Sequence, residues 1–256
     1  MSVNDEINAA YQRGDNVAAL AMGLGYSESD AIRIAYNMQS GTYIDQDDKP
    51  GQYYTRQGGQ IVEHETTSIS EYRRLWAAEI DMILQGFYRD GLSILEAGVG
   101  EATTLRYLAE LNRGDNFSYS GCDLSSDRIA HGLKYLSQND ITAKLFVADI
   151  YDLPVCDNAY DVVYTSHSIE PNGYRGEARA IAELYRVARE AVVLVEPDWN
   201  MADCLGKLRM TRNNYAAKCI DACGELGLEV ILYRPMRVFR SKLNPGSAIA
   251  IKKVTK

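Results

Sequence analysis

Leu92-Ser93-Ile94-Leu95-Glu96-Ala97-Gly98-Val99-Gly100 decides how the rest of the chain is read. Residues 92–97 form a short apolar strand, and the glycines that follow end it. Glycine lets the backbone turn tightly and approach a ligand that a β-carbon would exclude. A helix is expected from about Thr103 to Leu111. Moving outward, a strand over 117–124 ends on Asp123, and a helix runs from Ser125 to about Leu136. Strand candidates follow at 143–148 and 160–165, then a helix over 177–189 and the strongest strand, 191–197. Strand and helix alternating at these lengths imply parallel strands joined by right-handed crossovers. The last part adds a polar connector from Asp198, a helix over about 213–226, and strands at 228–239 and 247–254. The joint between those two strands is short, which makes them antiparallel neighbours.

Upstream of residue 92 the pattern is helical. Ser2 or Asn4 caps a helix running to about Tyr11, a short segment starts at Asp15 or Asn16, and Ser27 caps a helix through Met38. Residues 41–59, with four glycines and a proline, read as loop, and a broad apolar face predicts a helix over 70–88. The chain therefore divides into an N-terminal helical segment with its connector, 1–66, and a larger domain, 67–256.

Composition narrows the function. Twenty-seven basic against 35 acidic side chains give a net charge of -8, which disfavours binding to long nucleic acid. No apolar run approaches the roughly 18 residues that span a bilayer, and the N-terminus is polar and acidic. These features lead to the expectation of a cytoplasmic protein. The five cysteines form no framework; Cys219 and Cys223 lie one helical turn apart without further ligands nearby, so no metal site is expected.

Three groups fall at strand ends in chain order. Gly98 and Gly100 form the turn, Asp123 ends the second strand 23 residues after Gly100, and Asp149 ends the third. An acid in the second position can accept hydrogen bonds from a ribose diol, and one in the third from an adenine amino group. Thr103 stands where a dinucleotide fingerprint has its third glycine, and no phosphate loop of the form GxxxxGK is present. Nicotinamide chemistry is therefore the weaker reading.

The segments ILEAGVGEATTLRYLAEL, GCDLSSDRI, VADIYDLPVCDNAYDVVYTSHSIE and AIAELYRVAREAVVLVEP together resemble the class I S-adenosylmethionine-dependent methyltransferase family over roughly residues 70–254. The resemblance implies an α/β, Rossmann-like sheet of seven strands, the last antiparallel, with helices on both faces and an N-terminal helical lid. It implies S-adenosyl-L-methionine as cofactor and S-adenosyl-L-homocysteine as product. Carried over by position, Glu96 marks the methionine amine, Gly98 and Gly100 lie along the homocysteine part, and Asp123 holds the ribose with Leu124 beside the adenine. Asp149 and Ile150 meet the adenine, Thr165 lines the methionine moiety, and Tyr54 closes over the cofactor from the lid. A proline-glycine-glycine turn common before the fifth strand is replaced by Val187-Ala188-Arg189-Glu190-Ala191.

Methyl transfer from a sulfonium needs an aligned nucleophile, and a protein base only when that nucleophile arrives protonated. His167 and Glu170, directly after the fourth strand, are the candidate bases, with His64 in the connector as a third. Tyr11, Tyr53, Asn172, Trp199 and Arg209 are candidate substrate contacts. Eighteen tyrosines against four phenylalanines suit a polar small molecule. The expectation is O- or N-methylation of a small polar metabolite by a monomer or homodimer, without nucleic-acid or membrane partners. The alternatives are a nucleic-acid methyltransferase and a catalytically silent, cofactor-binding partner subunit of the same fold.

Overall fold

The computed structural model describes residues 3–254. Helices α1 (Val3–Arg13), α2 (Val17–Gly23) and α3 (Glu28–Asn37) come first. Asn16 and Ser27 cap α2 and α3 by accepting from the amides of Ala19 and Asp30. Ser2 lies outside the described residues, and Asn4 falls inside the first turn of α1, so it does not precede that helix.

A hairpin follows, β1 (Gly51–Gln57) and β2 (Gln60–Thr66), turning on Gly58 and Gly59, both with positive φ. The expected loop over 41–59 is thus corrected. Tyr53-Tyr54-Thr55 is a β-favouring run, but its partners lie in β2 and far down the chain, which local composition does not reveal. Helix α4 (Ile69–Leu84) leads to β3 (Ser93–Ala97), α5 (Thr103–Leu111), β4 (Ser118–Asp123), α6 (Ser126–Gln138) and β5 (Lys144–Val147). Then come β6 (Tyr160–Ser166), α7 (Glu177–Val187), β7 (Ala188–Pro197), α8 (Cys204–Arg212) and α9 (Cys219–Glu225). The chain ends with β8 (Glu229–Pro235), β9 (Val238–Phe239) and β10 (Gly246–Lys252). The helix expected over 213–226 shortens to α9, and the expected connector from Asp198 is itself helical over α8. Asp203 caps α8 by accepting from Gly206 N.

Seven strands form one sheet in the order β5-β4-β3-β6-β7-β10-β8. The pairs from β5 through β7 are parallel, whereas β10 runs antiparallel to both β7 and β8. The two-residue period sends alternate side chains to opposite layers. Ile94 of β3 and Val193 of β7 join Trp76, Ile80, Leu105 and Leu108 on the α4–α5 side. Leu95 and Leu194 join Ile181, Leu184 and Cys223 on the α7–α9 side. Residues 191–195 of β7 are fully buried, and each such Val or Leu contributes about 1.5–3 kcal/mol. Helices therefore cover both faces, as expected. Among the described residues, no helix is long and apolar enough to cross a membrane.

The hairpin is not independent of the larger sheet. β9 pairs with β1 in a three-stranded sheet, β2-β1-β9, so the boundary at residue 66 is bridged by the C-terminal part. Glu79 of α4 holds that junction. It is 2% exposed and accepts from Arg234 Nη1 at 2.5 Å, from Arg237 N at 2.8 Å and from Val238 N at 2.9 Å. Removing this carboxylate leaves a cation and two amides unpaired. Glu79→Ala is expected to cost about 3–5 kcal/mol in denaturant unfolding, with Glu79→Gln intermediate; equal stability of all three proteins would contradict this role.

Candidate active site

Three loops meet at the C-terminal edge of the central strands, where ligands bind in open parallel sheets. The amides of Gly98 and Val99 both donate to the Cys122 carbonyl at 2.8 Å, which ties the turn after β3 to the end of β4. Gly98 and Gly100 have φ of 76° and 54°. A β-carbon on Gly98 would overlap Ser168, and one on Gly100 would overlap the Arg128 guanidinium. Gly100 N donates to Asp123 Oδ2 at 2.9 Å and Ser125 N to Asp123 Oδ1 at 2.9 Å. Each oxygen of that carboxylate keeps accepting capacity directed away from the backbone.

A cavity opens over these groups. Gly98, Asp123, Leu124, Asp149 and Ile150 form its floor; His167, Ser168, Pro171, Asn172 and Arg175 form one wall; Ile32, Arg33 and Tyr36 of α3, with Arg128, cover it. Its volume is about 60 Å³, below the roughly 300–1,000 Å³ of small-molecule pockets. The cover explains the difference. Arg128 lies between the rings of Tyr36 and Tyr43, at 5.1 and 4.8 Å from their centres, and its Nε is buried without a partner. Ser29 of α3 donates to Asp149 Oδ2 at 2.9 Å, and Gly41 N and Ile44 N donate to Glu101 at 2.9 Å.

Two carboxylates lie deeper. Glu96, 2% exposed, accepts from the Tyr164 hydroxyl at 2.7 Å, and burial pushes its carboxyl up to about 8. Glu196, at the end of β7 and 1% exposed, accepts from the backbone amides of Ser168 at 3.0 Å, Ile169 at 3.2 Å and Glu170 at 3.2 Å. Burial raises its carboxyl too, against the lowering effects of His167 and these donors.

Glu196 shapes the segment that carries the His167–Glu170 pair. His167 adopts φ of 55°, a left-handed conformation uncommon outside glycine, and its Nδ1 lies 2.7 Å from Glu170 Oε2. Burial opposes protonation of His167, but the Glu170 hydrogen bond and charge, together with Glu196, outweigh it and the Arg209 charge. The net shift is upward from 6.5. The imidazole packs 5.4 Å from the Trp76 ring, and the Trp76 indole donates to Ser166 Oγ at 2.9 Å.

The structure brings Gly98, Asp123, Leu124, Asp149, Ile150, His167 and Asn172 to one cavity. Gly100 and Glu170 adjoin it through Asp123 and His167. Glu96 and Thr165 are buried at the ends of β3 and β6. Other expected residues lie elsewhere. His64 is in β2, stacked on Tyr53 at 4.8 Å with its Nε2 2.8 Å from Thr55 Oγ1, so the hairpin's own pairing holds it away from His167. Tyr54 faces Phe239 at 5.7 Å across the β1–β9 pair, not the cavity. Tyr53 donates to Glu71 at 2.8 Å, and Tyr11 packs among α1, α2 and α3. Trp199 packs with Met210 and Ala217, its ring flanked by Lys207 and Lys218. Arg209 lies beside Tyr215, 5.7 Å from its ring.

Arg128, Arg175 and Glu196 were not singled out from sequence. For Glu196 a signal existed: it is an acid at the end of a buried strand, like Asp123. For the arginines none did. Arg175 pairs with Asp149 at 2.8 Å across 26 residues.

Residues 94–191 match the family model described as a methyltransferase domain. Over 114 residues the chain is 31% identical to the 2-methyl-6-phytyl-1,4-hydroquinone methyltransferase of Synechocystis sp., covering 44% of this chain and 34% of that protein. The chain spans about a third of the length of the curated relatives it matches. The (4+2)-cyclase SpnF superposes with a TM-score of 0.63 at 13% identity, over 89% of this chain and 97% of that one. Magnesium protoporphyrin IX methyltransferase from Synechocystis, solved with bound S-adenosylhomocysteine, gives 0.57 at 13% identity, over 73% and 85%. Residues 94–191 thus match a methyltransferase domain, and the seven-stranded sheet shares its fold with these solved structures.

Proposed function

We propose that this protein transfers a methyl group from S-adenosylmethionine to an oxygen or nitrogen of a small polar molecule. The observation that carries the reading is the convergence, in one cavity, of the Gly98 turn, Asp123, Asp149 and His167. The residues present fit the cofactor. Bare glycine backbone leaves room along the turn, Asp123 keeps capacity for two hydroxyls, and Leu124 and Ile150 offer apolar contact to a base. Asp149 fits with one adjustment: Ser29 and Arg175 already donate to it, so Ser29 must yield before an adenine amino group can. Helix α3 and the segment through Ile44 act in this reading as the cover, opening for entry.

When bound, S-adenosylmethionine supplies a methyl group already activated on sulfur. His167 then needs only to remove the proton of the attacking hydroxyl or ammonium. Glu170 Oε2 accepts Nδ1–H of the imidazole, which leaves the Nε2 lone pair free to take that proton. Glu196 holds the segment from Ser168 to Glu170 in place, and the Trp76 ring limits rotation of the imidazole. The relative named for a hydroquinone acceptor and the net charge of -8 favour a metabolite over nucleic acid.

Calorimetric titration with S-adenosylhomocysteine is expected to show binding by the wild type that Asp123→Ala weakens at least about tenfold, or 1.4 kcal/mol. Wild-type protein that fails to bind would remove the reading. The base assignment has its own test once an acceptor is in hand. Protonated His167 is inactive, so the rate is expected to rise with pH through a value above 6.5. Glu170→Gln removes the principal raising influence and moves that limb to lower pH; an unmoved limb would show that His167 is not the titrating base.

A further inference from the structure

Glu170 is held from two directions by groups at the end of one strand. Its backbone amide donates to Glu196 Oε2 at 3.2 Å, and Glu196 stands at the end of β7. Its side chain is reached by Asn244, whose Nδ2 donates to Glu170 Oε1 at 3.1 Å. Asn244 lies in the turn before β10, and that turn is tied to the same strand end. Asp198 N, just past β7, donates to the Pro245 carbonyl at 2.9 Å, and Gly246 pairs with Pro197. A β-carbon on Gly246 would come within 3.0 Å of the Glu196 carbonyl oxygen. The turn has little freedom, and neither has the amide it carries.

The two carboxyl oxygens of Glu170 thus have separate partners. Oε2 lies 2.7 Å from His167 Nδ1, and Oε1 accepts from Asn244. The contact has a cost, because Asn244 Oδ1 is buried without a hydrogen-bond partner. Turning the amide over would set Oδ1 against Oε1, two acceptors in contact, so the donor must face Glu170. An apolar side chain would fill the same space without burying an unpaired oxygen. The N–H donor is therefore what the position supplies. With Oε1 engaged, the plane of the carboxyl group is set and Oε2 stays on the imidazole, whose ring lines the cavity and packs 5.4 Å from Trp76.

We propose that Asn244 is a positioning residue for the base. By holding Glu170 Oε1 it keeps Oε2 on His167 Nδ1, so the neutral imidazole carries its proton on Nδ1 and presents a bare Nε2. Only in calling His167 the base does the inference rest on the methyl-transfer reading above. Without Asn244 the carboxyl group can turn toward other donors, and the ring proton can sit on either nitrogen. The form protonated on Nε2 has no lone pair there to receive a proton from an attacking group, so it is idle as a base. The charges that bear on the imidazole from neighbouring elements, Glu196 of β7 and Arg209 of α8, act on the ring as a whole. A directed hydrogen bond is what distinguishes one ring nitrogen from the other.

Long-range ¹H–¹⁵N correlation spectra of histidine-labelled protein read the tautomer directly, because protonated and bare ring nitrogens have well-separated shifts. The chain has three histidines, and His167→Gln identifies the signal to follow. At a pH above the titration of the imidazole, the wild type is expected to favour the Nδ1–H form at least about tenfold, the scale of one hydrogen bond to a carboxylate. Asn244→Leu is expected to lose most of that preference. This variant also removes the unpaired Oδ1, which favours its folding; if a thermal scan shows that it does not fold, Asn244→Ala decides, with the same loss expected. An Nε2–H majority in the wild type, or an equal tautomer ratio in wild type and folded variant, would overturn the proposal. S-adenosylhomocysteine titrated into the same samples separates the two readings. Binding by the wild type with an unchanged tautomer in the variant removes this proposal alone. A tautomer preference lost in the variant, with no binding by the wild type, removes the methyl-transfer reading alone.

Discussion

No β-carbon can be accommodated at residue 98. The turn after β3 runs so close to Ser168 that only hydrogen fits between them, and the backbone there is left-handed. That closeness lets one turn serve three strands. The Gly98 and Val99 amides reach the Cys122 carbonyl on β4, Gly100 N reaches Asp123, and Ser168 hangs from the segment that Glu196 pins to the end of β7. A larger residue would push apart Asp123 and the segment from His167 to Glu170 together. The site is thus a consequence of how tightly three strand ends are drawn in.

Electrostatics sets what this arrangement costs. A chain with net charge -8 gathers Glu96, Glu101, Asp123 and Glu196 beneath one small cavity, all nearly inaccessible to water. Backbone amides do much of the compensation: two for Asp123, three for Glu196 and two for Glu101. Glu96 is held toward its neutral form by burial, against the lowering effect of the Tyr164 hydroxyl and the Leu105 backbone. Arg128 stands among these acids at 3.9–4.0 Å, too far for good hydrogen bonds, and is steadied by two tyrosine rings. A cation held this loosely can shift when the cavity fills.

The alternation of short buried strands with helices from residue 92 onward was legible because each element announces itself locally. Gly98, Asp123 and Asp149 were legible for the same reason, since a strand end followed by a helix is a local event. The hairpin at 51–66 was not. Its third strand, β9, lies far downstream, and its glycines read as breakers when they form the turn between Gln57 and Gln60. His64 and Tyr54 were misjudged through that same gap, because a loop can fold over a cavity whereas a paired strand keeps its side chains on its own sheet.

The account stands on the glycine turn and the strand-end acids acting as one cradle. Backbone amide shifts on adding S-adenosylhomocysteine to ¹⁵N-labelled protein test this most directly. The account predicts the largest changes at Gly98, Gly100, Leu124 and Ile150, with smaller ones at Ser168 and along α3 as the cover adjusts. Shifts confined to the hairpin or the β8 edge, with Gly98 and Gly100 unmoved, would contradict it.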